Sequence, residues 1–301
     1  MSAGAGTDLD HVGLFVPDMA RAARAMEELG FALTPYTPQR HTLQTGELAP
    51  TGTANRLAIL QQGYIELLTA VGDAPLADQM RAAIERYPGV HLIAFGSTDA
   101  EATHRRLGEA GFDPLPLVRL QRSAATPDGE RLARFSVVRV PPERMPEGRM
   151  QFCRHHTPEL VWQPRHQRHP NGAHSLTDIL LCVDDVALAT ARYERFLGFP
   201  ARERDGFRLL ELARGRLHFF DPQGLLARTG IEAPTTPFIA GFALATADLA
   251  ATRALLTGRG VPVRTLASDV IAVTPEAIAA TILLTAPDAT LPWLGCEAGA
   301  Q

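Results

Sequence analysis

Leu9-Asp10-His11-Val12-Gly13-Leu14-Phe15-Val16 is an apolar strand carrying one imidazole, and it is the first of four related segments. The others are Val90-His91-Leu92-Ile93-Ala94-Phe95, Leu176-Thr177-Asp178-Ile179-Leu180-Leu181-Cys182-Val183 and Ile239-Ala240-Gly241-Phe242-Ala243-Leu244. Seven or eight residues after His11, His91, Asp178 and Ala240 stands an aspartate: Asp18, Asp99, Asp185 and Asp248. Aspartate is a favoured helix N-cap because its side-chain oxygen accepts an otherwise unpaired backbone N–H. An Ala- and Arg-rich stretch follows each aspartate, and nineteen or twenty residues after the same markers come Gly30, Gly111, Gly198 and Gly260. Glycine there suits the left-handed position that ends many helices. Strand, aspartate cap, helix and glycine stop recur four times at nearly fixed offsets, so an internal repeat sets the architecture.

Strand-like segments extend each copy. In the first, Phe31-Ala32-Leu33-Thr34-Pro35 follows the helix and a polar loop runs from Gln39 to Thr53. Asn55-Arg56-Leu57-Ala58-Ile59-Leu60 and Gly63-Tyr64-Ile65-Glu66-Leu67-Leu68 then flank a short turn at Gln61-Gln62. The unit is therefore βαβββ. The second copy ends in Gly148-Arg149-Met150-Gln151-Phe152-Cys153, the third in Gly215-Arg216-Leu217-His218-Phe219-Phe220, and the fourth around Ala280-Thr281-Ile282-Leu283-Leu284. An amphipathic helix from about Ala74 to Tyr87 joins copies one and two, and the stretch from Gln163 to Gly172, rich in Pro, His, Arg and Asn, reads as a linker. A lone βαβββ unit leaves one sheet face bare, which predicts pairing. The expected fold is α+β: modules 8–70 and 88–162 in a domain of residues 1–163, a linker at 164–172, and a second domain at 173–301. Each domain should carry a curved mixed sheet with helices outside and a cavity within.

The 301 residues suffice for two domains, each with its own core. A hydrophobic fraction of 46%, a charged fraction of 21%, a net charge of -4 and a pI near 6.2 fit a soluble protein and give no electrostatic argument for nucleic acid or an anionic membrane. The first residues lack the basic start and apolar core of a signal peptide, and no apolar run is long enough to cross a bilayer. The expected compartment is the cytoplasm and the expected partner a small molecule; a homodimer is left open. Cys153, Cys182 and Cys296 are odd in number and widely spaced, so they read as reduced packing residues.

Paired βαβββ units with His in Leu-Asp-His-Val-Gly-Leu, Glu in Tyr-Ile-Glu-Leu-Leu and His in Gly-Val-His-Leu-Ile-Ala-Phe resemble the vicinal oxygen chelate superfamily, which includes glyoxalase I, extradiol dioxygenases and the fosfomycin and bleomycin resistance proteins. Gly52-Thr53-Ala54-Asn55-Arg56-Leu57 leading into Gly63-Tyr64-Ile65-Glu66-Leu67 looks more narrowly like its glyoxalase-like domain group. The resemblance implies a divalent metal, Fe, Mn, Ni, Co or Zn, held in the first cavity by His11, Glu66, His91 and Gln151. It implies isomerase, lyase or dioxygenase chemistry on an oxygen-chelating substrate. Copies three and four offer Asp178, His218, Ala240 and Thr281 at the corresponding positions, two of them poor ligands, so the second domain reads as degenerate.

Strand alternation puts Tyr64, Glu66 and Leu68 on one face. A carboxylate buried in such a strand needs a partner, because burial without one costs several kcal/mol. A metal is one partner; an ion pair with Arg56 on the neighbouring strand is another. For His11 or His91 taken singly an ordinary hydrogen-bonded core role is the competing reading, and His155 or its neighbours through Glu159 compete with Gln151 to complete the set. Glu66 is the expected catalytic base, and Asn55 and Arg56 the expected substrate-binding residues. Arg119, Arg122, Arg131, Arg134 and Arg139 either favour an anionic substrate or merely solubilise a sheet. Gln151 cannot exchange a proton, which weighs against a strict glyoxalase I. The alternatives to an enzyme are a protein of the bleomycin-resistance type, which binds a small molecule without turnover, and a scaffold for assembly.

Overall fold

The structure is a computed structural model and describes residues 7–42 and 48–295; Cys296 lies outside them. The repeat is built as its spacing predicts. Asp18 accepts the N–H of Arg21 at 2.9 Å, Asp99 that of Ala102 at 3.0 Å, Asp185 that of Leu188 at 2.8 Å and Asp248 that of Ala251 at 3.0 Å. The four stop glycines have φ between +75° and +86°, where a Cβ would be strained.

The N-terminal half comprises β1 (Leu9–Phe15), α1 (Met19–Glu28), β2 (Thr37–Thr42), β3 (Leu48–Ile59), β4 (Tyr64–Ala70), α2 (Pro75–Arg86), β5 (Gly89–Gly96), α3 (Ala100–Glu109), β6 (Val118–Thr126), β7 (Gly129–Arg139), β8 (Arg149–His155) and the single turn α4 (Pro158–Val161). The C-terminal half comprises β9 (Ala173–Cys182), α5 (Val186–Leu197), β10 (Ala201–Arg204), β11 (Phe207–Glu211), β12 (Arg216–Phe220), α6 (Pro222–Thr229), β13 (Phe238–Thr246), α7 (Leu249–Gly258), β14 (Arg264–Ala267), β15 (Val270–Val273) and β16 (Thr281–Thr285). Strand order is β2-β3-β4-β1-β5-β8-β7-β6 in the first half and β10-β11-β12-β9-β13-β16-β15-β14 in the second. The first strands of paired modules run antiparallel at the centre, and each takes the last strand of its own module in parallel on its other side. The result is a pair of curved, unclosed mixed sheets. Strands β5 and β13 join them through the pair Val90 with Ile239, and isolated bridges link Asp8 with Arg214 and Gln62 with Ser175.

Two local expectations change. Residues 31–36 are not a strand, and the polar stretch from Gln39 is not a loop: β2 and β3 form a hairpin whose residues 43–47 are not described. Its sequence is polar because its inner face lines a cavity rather than a core. The two halves also share a core instead of owning one each. Val12, Leu14, Ile93 and Phe95 from one sheet and Ile179, Leu181, Phe242 and Leu244 from the other belong to one apolar cluster with Met26, Leu107, Phe196 and Leu256 from the helices. Phe112 meets Phe196 edge-on at 5.1 Å, and buried Glu147 pairs with Arg192 of α5.

The linker is a buried staple. His169 accepts the Ala32 N–H at 3.0 Å through Nδ1 and so donates from Nε2 to the Ile59 carbonyl at 2.9 Å. Asn171 donates to the Leu29 carbonyl, and its own carbonyl accepts from Thr252 of α7.

The concave face of the second half is filled by its own side chains. Arg216 donates to both oxygens of Asp178, from Nε at 2.6 Å and Nη2 at 3.0 Å, and His218 donates from Nε2 to the same carboxylate at 2.7 Å. Trp293 Nε1 donates to His218 Nδ1 at 3.1 Å; an indole only donates, so this imidazole is neutral with its proton on Nε2. Burial pushes the Asp178 carboxyl up, but His218 and Arg216 pull it further down, so it stays ionised. Phe207, Phe220 and Trp293 pack around the network. Removing one partner of such a buried group strands the others, so Asp178→Ala should lower unfolding free energy by about 3–5 kcal/mol in urea titration, with the fold retained.

Candidate functional site

The first half keeps its concave face open as a cavity of about 980 Å³ lined by residues of all eight of its strands, with the start of α2 at its edge. His11, Asn55, Glu66 and Gln151 all line it; Arg56 and His91 do not. The reason for Arg56 is alternation: Asn55 faces the cavity, so the next residue faces away. Arg56 donates to the Thr34 carbonyl at 2.9 Å and pairs with Glu27 of α1 at 3.1 Å. It is therefore neither a cavity residue nor the partner of Glu66.

His91 misses the cavity through a β-bulge. Pairing of β1 with β5 skips one residue on each strand, Asp10 between Leu9 and His11 and His91 between Val90 and Leu92. The second half skips Thr177 and Ala240 in the same way. Register thus equates His11 with Leu92, Asp178 and Gly241, and Asp10 with His91, Thr177 and Ala240. The strands lying parallel to them agree: Tyr64, Arg149, Arg216 and Thr281 stand opposite His11, Leu92, Asp178 and Gly241. Two residues further, Glu66 corresponds to Gln151, His218 and Leu283, so the fourth copy offers Leu283 in place of Thr281. The offset to the cap aspartate, seven from His11 and Asp178 but eight from His91 and Ala240, is the sequence signal of this one-residue difference.

His91 is packed between Phe15 and Tyr87, with ring centroids 5.3 and 4.0 Å away, and donates from Nε2 to the Tyr87 carbonyl at 2.6 Å. Burial pushes its pKa down to about 4. Leu92 lines the cavity at the position opposite Arg149.

The remaining residues converge. Asp10 is buried between two imidazoles, with His11 Nδ1 at 2.5 Å and His155 Nε2 at 3.2 Å. Burial pushes its carboxyl up, but His155 and His11 more than reverse this and hold it well below the usual carboxylate range. An ionised carboxylate only accepts, so His11 donates from Nδ1, and in the neutral imidazole this tautomer leaves the Nε2 lone pair facing the cavity. Glu66 Oε2 lies 3.9 Å from that nitrogen. The other carboxylate oxygen is saturated, accepting from Asn55 Nδ2 at 2.6 Å and Gln39 Nε2 at 3.2 Å. Thr53 and Thr51 continue the chain by bonding Gln39. A lone pair and a carboxylate oxygen facing each other across 3.9 Å call for a cation or proton between them. A divalent ion with bonds of about 2.0–2.2 Å to each donor spans that gap. The Tyr64 ring stacks on His11 at 4.2 Å with its hydroxyl 3.5 Å from Nε2. Burial and the nearby Asp10 push the phenol well up, so it stays protonated.

Asp10, Cys153 and Arg149 are not legible in this role from the sequence, whereas His155 is a candidate there. Asp10, Cys153 and His155 place ligand-type atoms within 4.8 Å of one another. Strand β8 runs through His155, which is half-buried with its ring turned inward to Asp10 rather than a solvated loop residue, while Glu159 is exposed and pairs with Arg131. Burial and the nearby carboxylates hold the Cys153 thiol well above its ordinary pKa. Arg149 is the third. Its guanidinium sits over the Phe15 ring at 5.2 Å, and burial with Arg139 nearby pushes it down to about 9. Arg139 donates from Nε to Gln151 Oε1 at 3.2 Å, and burial lowers its pKa as well. Arg122 lies over Phe135 at 5.1 Å on the same cavity wall. Arg119 is a rim residue paired with Glu101, and Arg131 and Arg134 are exposed.

A family model described as a glyoxalase-like domain matches residues 9–197. No curated protein sequence matches the chain. Among solved structures, a hypothetical protein from Staphylococcus aureus is similar with a TM-score of 0.65 and 12% identity, over 93% of this chain and 99% of that one. A mutant of 4-hydroxymandelate synthase from Streptomyces coelicolor gives 0.58 and 13% over 93% and 92%, and catechol 2,3-dioxygenase gives 0.55 and 13% over 93% and 87%. At these identities the likeness establishes the shared fold. Among the described residues no helix is long and apolar enough to cross a membrane.

The depressed His91 pKa has a sign. Above its ordinary value of 6.5 both folded and unfolded forms are neutral; between 6.5 and about 4 only the unfolded chain takes up the proton. Stability should therefore fall by up to about 3 kcal/mol as pH drops through that window, and a His91→Gln variant should lose that component when urea midpoints are compared across pH.

Proposed function

The chain belongs to the glyoxalase-like domain family of the vicinal oxygen chelate superfamily, and from that premise we propose that it is a metal-dependent enzyme acting at the cavity of its N-terminal half on a small oxygen-chelating substrate. In this reading residues 1–163 carry the site, 164–172 staple the halves together, and 173–301 form a degenerate partner domain.

The observation that carries it is the pair His11 Nε2 and Glu66 Oε2, 3.9 Å apart on the wall of the cavity, with Asp10 fixing the far nitrogen of the imidazole. A carboxylate on the distal nitrogen is the usual support of a metal-bound histidine: it sets the tautomer and raises ligand basicity. His11 and Glu66, with the Gln151 amide oxygen on the same wall, would hold the ion. Of the cluster Asp10, Cys153 and His155 only Cys153 lines the cavity, and Asp10 is already bonded to both imidazoles, so the pair His11 and Glu66 is the better-exposed ligand set. The set has one imidazole where non-haem iron oxygenases use two, which favours isomerase or lyase chemistry over dioxygenase chemistry.

When bound, a divalent ion would polarise vicinal substrate oxygens and acidify the adjacent carbon. The chain's own part is proton handling. Glu66 would take the proton at Oε2 by giving up its hold on the ion, because Asn55 and Gln39 already occupy its other oxygen. Gln151 orients but takes no proton, so one base serves the reaction. Tyr64 keeps its proton beside Nε2.

Anaerobic loading with Fe, Mn, Co, Ni or Zn followed by elemental analysis tests the reading. We expect near-stoichiometric metal in the wild type, loss in His11→Ala and Glu66→Ala, and affinity reduced about 10–100-fold in Asp10→Asn. His91→Gln and Cys153→Ser should load normally. A wild type that takes up no metal yet binds small molecules in the cavity would favour the non-catalytic binder instead.

A further inference from the structure

The two halves answer the same question differently at one register position. Arg216 in β12 stands opposite Asp178 in β9, and the carboxylate takes two of its N–H donors at 2.6 and 3.0 Å. Arg149 in β8 is its counterpart, but Leu92 stands opposite it and no carboxylate lies within 4.0 Å among the described residues. Beside it Arg139 spends only Nε, on an amide oxygen. Arg122 completes a wall with three guanidiniums and one carboxylate, Glu66, which is already bonded to Asn55 and Gln39.

Guanidiniums crowded in a partly buried wall repel one another and lose hydration. A planar carboxylate repays both with paired N–H bonds in the geometry the fork prefers. Apolar side chains share the lining with these arginines, Leu68, Leu92, Leu117, Leu120, Phe135 and Val137 among them, while Arg40 and Arg119 add further positive charge and the polar groups of β2 and β3 line another part of it. The second half shows this arrangement satisfied from within, with a carboxylate on the arginine and Phe207, Phe220 and Trp293 filling the space around it. Its concave face is an internal copy of what the first cavity lacks.

We infer that the N-terminal cavity binds a carboxylic acid with an apolar, ring-sized body, the carboxylate seated on Arg149 and Arg139 and the body against Leu92, Leu120 and Phe135. The inference deepens the reading of this cavity as the active site but rests on its arginines, not on a metal. It makes the acid a recognition handle apart from the oxygens that would meet the ion near His11.

The test uses the full chain in excess EDTA, with thermal shift and calorimetric titration of benzoate, phenylacetate and 3-phenylpropionate beside their amides, phenyl phosphate and inorganic phosphate. At least one acid should raise the melting temperature and bind, while its amide does not. Arg149→Met should weaken that acid by at least about tenfold, as expected for losing a hydrogen-bonded charge partner, and Arg149→Lys should recover part of it. Leu92→Asp places an internal carboxylate where Asp178 sits in the other half. It should abolish acid binding while raising the melting temperature, a result that misfolding would not give. Acids and amides binding alike, phosphates binding in place of acids, or no acid binding at millimolar concentration overturns the inference. Because chelator is present throughout, failure here leaves metal uptake by His11 and Glu66 untouched, and failure of metal uptake leaves this assay unaffected.

Discussion

A charged group sunk in the concave face of a βαβββ pair must find a partner there, and the organisation of this molecule follows from how each half meets that demand. The second half meets it with its own residues: Asp178, Arg216, His218 and Trp293 satisfy one another, and aromatic side chains close the space. The first half meets it only in part. Asp10 is matched by two imidazoles and one oxygen of Glu66 by two amides, but Glu66 Oε2, the bare nitrogen of His11 and the ends of Arg139 and Arg149 face the cavity. Buried polar groups without internal partners are costly, so a cavity that keeps several of them within reach of one another is arranged for something that enters it.

Much of this was legible in the sequence because it rests on short-range rules. The aspartate caps and glycine stops are local, and they gave four helices and the duplicated fold. The facing of Glu66 follows from alternation within its own strand. What failed needed cross-strand register. His11 and His91 look equivalent in one dimension, yet the bulge puts His91 level with Asp10. The eight-residue spacing to Asp99 was the trace of that bulge and had been treated as tolerance in the repeat. Asn55 and Arg56 are adjacent on β3, and alternation allows only one of two neighbours to face the cavity. Arg149 was hidden for a different reason: its importance lies in the residue opposite it, and no spacing within one strand reveals that this residue is Leu92.

The polar composition of two segments also proved ambiguous. Residues from Gln39 to Thr53 and from Gln163 to Gly172 are rich in the residue types that mark loops. In the first, Thr51, Thr53 and Gln39 support the Glu66 carboxylate. In the second, His169 and Asn171 serve as backbone-directed hydrogen-bonding anchors between α1, β3 and α7. Polarity marks a need for hydrogen-bond partners, and a concave sheet or a seam between helices supplies them as readily as water does.

The bulge at Asp10 gives the first module a property that a regular strand lacks. Two consecutive side chains, Asp10 and His11, meet through a hydrogen bond, so a cavity-facing imidazole and the carboxylate that fixes its tautomer come from adjacent codons. The second module has the same backbone irregularity with His91 and Leu92 in those places. Exchanging the roles of neighbouring positions there requires point substitutions and no movement of the chain, so a duplicated scaffold of this kind can gain, lose or relocate a ligand while its sheets stay as they are.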